Sequence, residues 1–209
     1  LTGVQEFMGL EFQVNEHVLI PRQDTETLVE LVLSEHKEKN ISLLDVCTGS
    51  GCIAISLAKL GGYTDVTALD LSEEALKVAR SNGEKLLDQP VKFIKSDMFS
   101  ALNPEKQYNV IVSNPPYIPS QVIEGLEPEV KDHEPRMALD GEPDGLKFYR
   151  ILAEEGKKYL KNGGSIYMEI GWDQAKDVTE IFEAMGFSGR RTVRDMAGND
   201  RVVCARKEK

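Results

Sequence analysis

The sequence predicts an α/β fold with a mostly parallel seven-stranded sheet, helices on both faces, and an antiparallel C-terminal hairpin at one edge. Three observations predict it. From residue 42 onward, short apolar runs alternate with longer helix-like segments, and strands separated by helical crossovers pair in parallel. Gly49-Ser50-Gly51 makes a turn between the first of these runs and its helix. Near the end of the chain, Gly198-Asn199-Asp200 joins two short strand-like segments, which is a hairpin signal.

The elements follow in order. Residues 7–20 can form a small hairpin. Pro21-Arg22-Gln23-Asp24-Thr25-Glu26 then leads into a helix carrying Leu28, Leu31, Val32 and Leu33, with Asp24 or Thr25 as its expected cap. Residues 42–46 are the first core strand, and the helix after the glycine turn carries Ile53, Ala54, Leu57, Ala58 and Leu60. Residues 66–70 are the second strand. Ser72 is the expected N-cap of the next helix, with Glu73 and Glu74 in its positive first turn. Strands follow at 91–94 and 108–113. Asp144 is expected to cap a helix running to about residue 160 and ended by Gly163 and Gly164. A strand at 165–170 precedes a helix at 173–185 with Val178, Ile181, Phe182 and Met185 on one face. Segments 191–194 and 201–205 form the closing hairpin. The stretch 118–144 is long, rich in Pro and Glu, and weakly periodic, which is more typical of a functional lid than of a plain linker.

Composition narrows the function. A chain of 209 residues with 41% hydrophobic and 29% charged residues reads as globular. No apolar stretch reaches the length of a membrane span, and no signal peptide is evident. Cys47, Cys52 and Cys204 are odd in number and lack zinc-site spacing, so they read as reduced thiols of a cytoplasmic protein. His17, His36 and His133 are scattered, and a metal site is not expected. The net charge of −10 opposes generic binding to phosphate backbones and fits a cationic ligand or a basic protein partner.

Asn114-Pro115-Pro116-Tyr117 is the most informative tetrapeptide. Two prolines cannot continue a central strand, because neither has an N–H for the ladder. The chain therefore leaves the sheet at Asn114, at a strand's C-terminal end, where open α/β sheets hold ligands. Asn presents an uncharged acceptor and donor, and the prolines leave backbone carbonyls as the main polar groups. The element suits gripping a planar NH₂ group. Tyr117 reads equally as a wall of the pocket or as part of the core.

Gly49 to Ala54 fits G-x-G-x-x-A between strand and helix, where a ligand can approach the backbone. Asp70 ends the second strand, placed to accept ribose hydroxyls. This pattern alone admits a nicotinamide cofactor or S-adenosylmethionine. Three features favour the latter. Asp45 can receive the methionyl ammonium, directly or through water. Asp97, in Ser96-Asp97-Met98, can accept the adenine amino group, although a solvated loop carboxylate is an equal reading. The closing hairpin suits the methyltransferase version of the fold better than the dehydrogenase version.

Together these residues resemble the HemK/PrmC protein-(glutamine-N5) methyltransferases, which modify the Gln of the Gly-Gly-Gln loop in peptide-chain release factors. The resemblance rests on Ile20 to Glu26, Asp45 to Gly51, Ser96 to Phe99, Ser113 to Ile118, Glu134-Pro135-Arg136-Met137-Ala138-Leu139, Asp144-Gly145-Leu146, and Arg194-Asp195 with Gly198 to Arg201. It implies a Rossmann-like class I S-adenosylmethionine-dependent methyltransferase domain over 41–209, preceded by a hairpin and helix over 1–40. The family's N-terminal helical domain is expected to be absent from this stretch. It implies that Asp45, Thr48, Gly49, Ser50, Gly51, Asp70, Leu71, Asp97, Met98 and Asn114 surround S-adenosyl-L-methionine, with S-adenosyl-L-homocysteine as product. It implies that Asn114, Pro115, Pro116 and Tyr117, with Arg22 and Arg136, face a release-factor substrate. Asn114 and Pro115 would carry the catalysis by accepting the two amide hydrogens, and no general base is nominated. For Arg22, Glu26 and Arg136 a structural ion pair is as good a reading. Where the family's glycine turn usually has an earlier glycine, this chain has Cys47.

The alternatives are a glutamine methyltransferase of a ribosomal protein, an adenine-N6 methyltransferase acting on nucleic acid, a nucleotide-binding module or inactive scaffold, and a nicotinamide oxidoreductase. The nucleic-acid reading needs a basic groove and stacking aromatics. The charge of −10 and an aromatic content of 7% weigh against it. No membrane partner and no direct nucleic-acid substrate are expected.

Overall fold

The structure is a computed structural model that describes residues 3–131 and 133–209. A two-stranded hairpin, β1 (Val4–Phe7) and β2 (Leu10–Gln13), opens the chain, followed by α1 (Glu26–Glu35). The core then runs β3 (Ser42–Val46), α2 (Cys52–Gly61), β4 (Asp65–Asp70), α3 (Glu73–Leu86), β5 (Lys92–Lys95) and β6 (Tyr108–Ser113). Two short helices follow, α4 (Ser120–Ile123) and α5 (Pro128–Lys131). The chain finishes with α6 (Lys147–Tyr159), β7 (Leu160–Glu169), α7 (Ala175–Ala184), β8 (Ser188–Arg194) and β9 (Asp200–Arg206).

Seven strands form one sheet in the order β5-β4-β3-β6-β7-β9-β8. β3 to β7 run parallel, and β9 pairs antiparallel with both β7 and β8. The expected mostly parallel sheet with an antiparallel hairpin is the observed one. Alternation along each strand feeds two cores. Leu43, Val110, Val112 and Tyr167 pack with α1 and α2 on one face, while Leu44, Ile111, Ile166 and Met168 pack with α6 and α7 on the other. After β3 the chain adds β4 and β5 on one side, then returns to place β6 on the other. This reversal leaves a crevice between the C-terminal ends of β3 and β6, the usual place for a ligand in such sheets.

The structure corrects three local expectations. Gly163 and Gly164 do not end a helix. They lie inside β7, because Gly163 N–H donates to Lys207 O and Lys207 N–H to Gly164 O, each at 2.9 Å, extending the pairing with the chain's last strand. Neither Asp24 nor Thr25 caps α1 through its side chain; both are engaged elsewhere. Asp144 lies ahead of α6 and accepts the Leu146 N–H at 2.9 Å, as a turn rather than a helix cap. The 118–144 stretch holds α4, α5, a 3₁₀ turn at Arg136–Ala138 and a bridge between Ile118 and Asp140. The Ser72 cap is found as expected, with its Oγ accepting from Ala75 N at 3.1 Å.

Candidate active site

The crevice is built first by the turn after β3. Gly51 starts α2 in the left-handed region at φ 83°, and a Cβ there would fall 2.9 Å from Ile55 Cδ1 and 3.2 Å from Ala79 Cβ. Only glycine lets α2 begin this close to α3. Cys47 is also left-handed, at φ 66°, so the position usually held by glycine keeps a glycine-like backbone despite its side chain. Its Sγ lies 3.7 Å from Met98 Sδ. Gly49 N–H donates to Asp70 Oδ2 at 2.8 Å, and Ser72 N–H to Asp70 Oδ1 at 2.9 Å. Burial pushes the Asp70 carboxyl up, against the pull of these backbone donors.

Asp45 is fully buried beneath this turn. Its Oδ2 accepts the Thr48 hydroxyl at 2.7 Å, while Oδ1 has no hydrogen-bond partner. Burial pushes its pKa up to about 7; the Thr48 bond pulls it down and the Asp70 charge pushes it further up. Asp45 does not itself line the cavity, but a buried carboxylate with one free oxygen beneath the turn that does is suited to a cation.

The second wall is the end of β6. Ser113 Oγ donates to Val46 O at 2.6 Å, locking the two strand ends together. Asn114 follows, with its Oδ1 buried and unpartnered at the cavity wall. Pro115 and Pro116 are buried, and Pro116 lines the cavity whereas Pro115 does not. Tyr117 does not line it either. Its ring packs with the α6–α7 core, its hydroxyl donates to Glu169 Oε2 at 3.3 Å, and its carbonyl accepts Gln174 Nε2 at 2.9 Å. A Cβ on Gly145 would come within 2.5 Å of that same carbonyl, so only glycine fits there. Glu169 is buried and also accepts the Thr25 hydroxyl.

The cavity has a volume of about 270 Å³. Its floor is the turn (Cys47 to Ser50, Cys52, Ile53) with Asp70, Leu71, Ser72 and Ala75. His17 to Arg22 form a third wall, and Pro135, Met137 and Ala138 of the 118–144 stretch cover it. A small recess lined by Cys47, Asp70, Leu71, Ser96, Asp97 and Met98 adjoins it, sharing three of those residues with the main cavity. Asp97 is exposed at this recess.

The Pro21 to Glu26 motif proves to be a clasp. Arg22 donates to Glu134 Oε1 at 2.5 Å, and Ile20 N–H to Glu134 Oε2 at 3.0 Å, tying the cover to the cavity wall. Asp24 pairs with Arg201 of β9 at 3.6 Å, Thr25 reaches Glu169 at the end of β7, and Glu26 accepts Met8 N–H of the β1–β2 turn at 3.3 Å. Arg136 does not reach the cavity; it pairs with Glu124 and Asp140 at 3.0 and 3.1 Å. Sequence reasoning quoted Ile20 and Glu134 in motifs without assigning them a role, and missed His17 to Leu19, Glu169, Gln174 and Asn82. Asn82 is buried and joins the hairpin to the glycine turn, accepting Gln13 N–H at 2.7 Å and donating to Ser50 O at 2.9 Å. Among the described residues, no three His, Cys, Asp or Glu side chains gather as a metal site.

Comparison with known proteins places this arrangement among methyltransferases. The methyltransferase small domain family matches residues 23–125. A release factor glutamine methyltransferase of Fusobacterium nucleatum is 44% identical over 99% of this chain, which spans 59% of that relative's length. The enzyme of the same description from Clostridium acetobutylicum is 45% identical over 98% of this chain and 73% of its own length. Among solved structures, the release-factor-specific protein-(glutamine-N5) methyltransferase of Alicyclobacillus acidocaldarius is 31% identical, with a TM-score of 0.56 over 95% of this chain and 100% of that one.

Proposed function

This chain belongs to the release factor glutamine methyltransferase family, and we propose on that premise that it methylates the side-chain amide nitrogen of the glutamine in a release factor's Gly-Gly-Gln loop, using S-adenosylmethionine. The observation that carries the reading is Asn114 Oδ1, a buried acceptor without a partner on the cavity wall at the end of β6. A buried unpaired acceptor costs stability, so its persistence fits a donor that arrives with the substrate.

The residues fit the cofactor. The free Asp45 Oδ1 suits the methionyl ammonium, the Asp70 carboxylate retains acceptor capacity for ribose hydroxyls, and the recess at Asp97 and Met98 suits the adenine. Thr48, Gly49, Ser50 and Leu71 complete that side of the cavity. When bound, the cofactor supplies an electrophilic methyl group on a sulfonium.

The chain's own task is positioning. An amide nitrogen is a poor nucleophile because its lone pair is delocalised into the carbonyl. Asn114 Oδ1 accepts one amide hydrogen, and the Pro115 carbonyl, although Pro115 does not line the cavity in the free protein, is the proposed acceptor of the other. This orients the nitrogen and stabilises the positive charge that develops on it. The rigid Pro115-Pro116 turn and the Tyr117 anchor on Glu169 and Gln174 keep both acceptors in place. The cover at Pro135 to Ala138, latched by Glu134, limits water at the site. Pro116 and Arg22 contribute to the substrate's side of the wall, while Tyr117 and Arg136 act from outside the cavity. No side chain is required as nucleophile or general base, and the proton leaves to water. Tyr117 packs against the α6–α7 core and does not line the cavity, so it is not placed to stack on a nucleobase held there, which weighs against an adenine substrate. The reading places the protein's work in the cytoplasm; among the described residues no helix is long and apolar enough to cross a membrane.

The test offers the methyl-labelled cofactor with a release factor, its Gln→Ala variant, ribosomal proteins and adenine-containing RNA. Label is expected in the unsubstituted release factor alone. Label in RNA or ribosomal proteins, or equal label in both release factors, overturns the reading.

A further inference from the structure

Seven large apolar side chains stand out in solvent among the described residues: Val4, Leu60, Leu71, Val122, Met137, Trp172 and Met196. Scattered singly, such residues need no explanation. Here five of the seven lie on segments that leave the C-terminal end of the sheet, where the cavity opens. Leu71 follows β4, Val122 and Met137 lie in the cover after β6, Trp172 follows β7, and Met196 tips the β8–β9 turn.

The two most exposed are held out by design of their loops. Met196, at 97% exposure, sits in a turn where Asp195 Oδ1 accepts both the Ala197 and Asn199 N–H groups at 3.0 Å, and Asp195 N–H donates to Asn199 O at 2.9 Å. Trp172, at 68%, follows Gly171, whose N–H donates to Gln174 Oε1 at 2.8 Å and whose carbonyl accepts Gln174 N–H at 3.1 Å. Both loops are tied to the site. Gln174 also holds the Tyr117 carbonyl, and Asp195 holds Arg201, which reaches Asp24 beside the cavity wall.

The charge of this end is net acidic. Residues 118–144 carry eight acidic and two basic side chains, and five of those acids pair with Arg22, Arg136, Lys147 or Arg150. The arginines near the cavity are already paired: Arg22 with Glu134, Arg136 with Glu124 and Asp140, Arg194 with Asp200, and Arg201 with Asp24 and Asp195. An acidic surface studded with apolar groups repels a phosphate backbone and complements a protein that is apolar and cationic.

We propose that Trp172 and Met196, with Met137 and Val122, form the docking rim for the protein substrate, contacting apolar and cationic side chains that flank its target glutamine. The proposal rests on the glutamine-methyltransferase reading. A glutamine side chain is short, so the backbone bearing it must descend to the cavity mouth and meet this rim. The rim thus selects a folded protein loop, while the cavity selects the amide.

The experiment measures steady-state methylation of a release factor by the full-length protein and by its Trp172→Ala, Met196→Glu and Leu60→Glu variants. Leu60 lies at the end of α2, away from the rim. The KM for the release factor is expected to rise at least about tenfold in Trp172→Ala and Met196→Glu, as for loss of an exposed interface anchor. The kcat, the cofactor KM and the Leu60→Glu variant should stay within twofold (roughly the scatter of a neutral surface change). An unchanged release-factor KM in both rim variants, with the unsubstituted protein active, overturns the rim alone. No transfer to release factor by the unsubstituted protein overturns the functional reading and the rim with it. Dissociation of a dimer on Met196→Glu, or loss of RNA binding in the same variants, gives the rim to another occupant and also overturns the proposal.

Discussion

Replacing Asp45 with Asn should stabilise the cofactor-free protein, and only at higher pH. Asp45 is fully buried, with one oxygen on Thr48 and the other unpartnered. Its carboxyl is pushed from an ordinary 3.8 up to about 7. Between these values the folded protein binds more protons than the unfolded chain, so stability falls as pH rises through this window. Below about pH 4 both states are protonated and the penalty is absent. Above pH 7 it is fully present, at about 4 kcal/mol, a large share of the roughly 5–15 kcal/mol that a domain has. Asn keeps the shape and an acceptor for Thr48 but never ionises. Asp70 and Glu169 are pushed up by burial too, but both proteins contain them, and to first order their contributions cancel in the comparison. Urea unfolding of both proteins without cofactor, at about pH 3, 5.5 and 8 (below, within and above the ~4 to ~7 window), checks this. The Asn variant should gain nothing at the lowest pH and about 2–4 kcal/mol at the highest. A stability difference independent of pH would refute the buried-carboxylate reasoning. The same variant should bind S-adenosylmethionine at least about tenfold more weakly, since a hydrogen bond to a charged group contributes about 1.5–3 kcal/mol.

Two further outcomes follow from backbone and latch geometry. At position 47 the left-handed backbone should invert the usual ranking, with Cys47→Gly more stable than Cys47→Ala by about 1 kcal/mol in urea unfolding; Ala equal to or better than Gly would exclude the strain. Glu134→Ala removes the acceptor of Ile20 N–H and Arg22. That should speed amide hydrogen exchange across the 118–144 cover by about tenfold or more while leaving β3 and β6 protected. Unchanged exchange in the cover would show that the latch does not hold it.

Much of the fold was legible because its signals are local. Apolar runs of strand length alternated with 3.6-periodic segments, glycine stood where α2 had to start against α3, and Gly198-Asn199-Asp200 marked the turn between β8 and β9. The catalytic corner was legible for the same reason: two prolines after an apolar run force the chain out of the sheet at Asn114 whatever surrounds it. What escaped depends on partners distant in sequence. Thr25 looks like a helix cap until Glu169, 144 residues away, takes its hydroxyl. Gly163 and Gly164 look like a stop until Lys207 pairs beside them. Tyr117 fits a pocket wall or a core equally until Glu169 and Gln174 turn it inward. Glu134 belongs to a motif that carries the family resemblance, but its role was not legible, because its partners, Arg22 and the Ile20 N–H, lie more than a hundred residues earlier.

The central claim is that Asn114 Oδ1 grips the substrate amide, and single-turnover methyl transfer to a release factor by Asn114→Ala tests it most directly. With saturating cofactor and substrate, the rate of transfer should fall at least about 100-fold, the scale of one preorganised polar contact in a transition state. Cofactor affinity measured by titration should stay within about tenfold, because Asp45 and Asp70 remain. A transfer rate within about threefold of the unsubstituted protein, set against that 100-fold scale, would contradict the account.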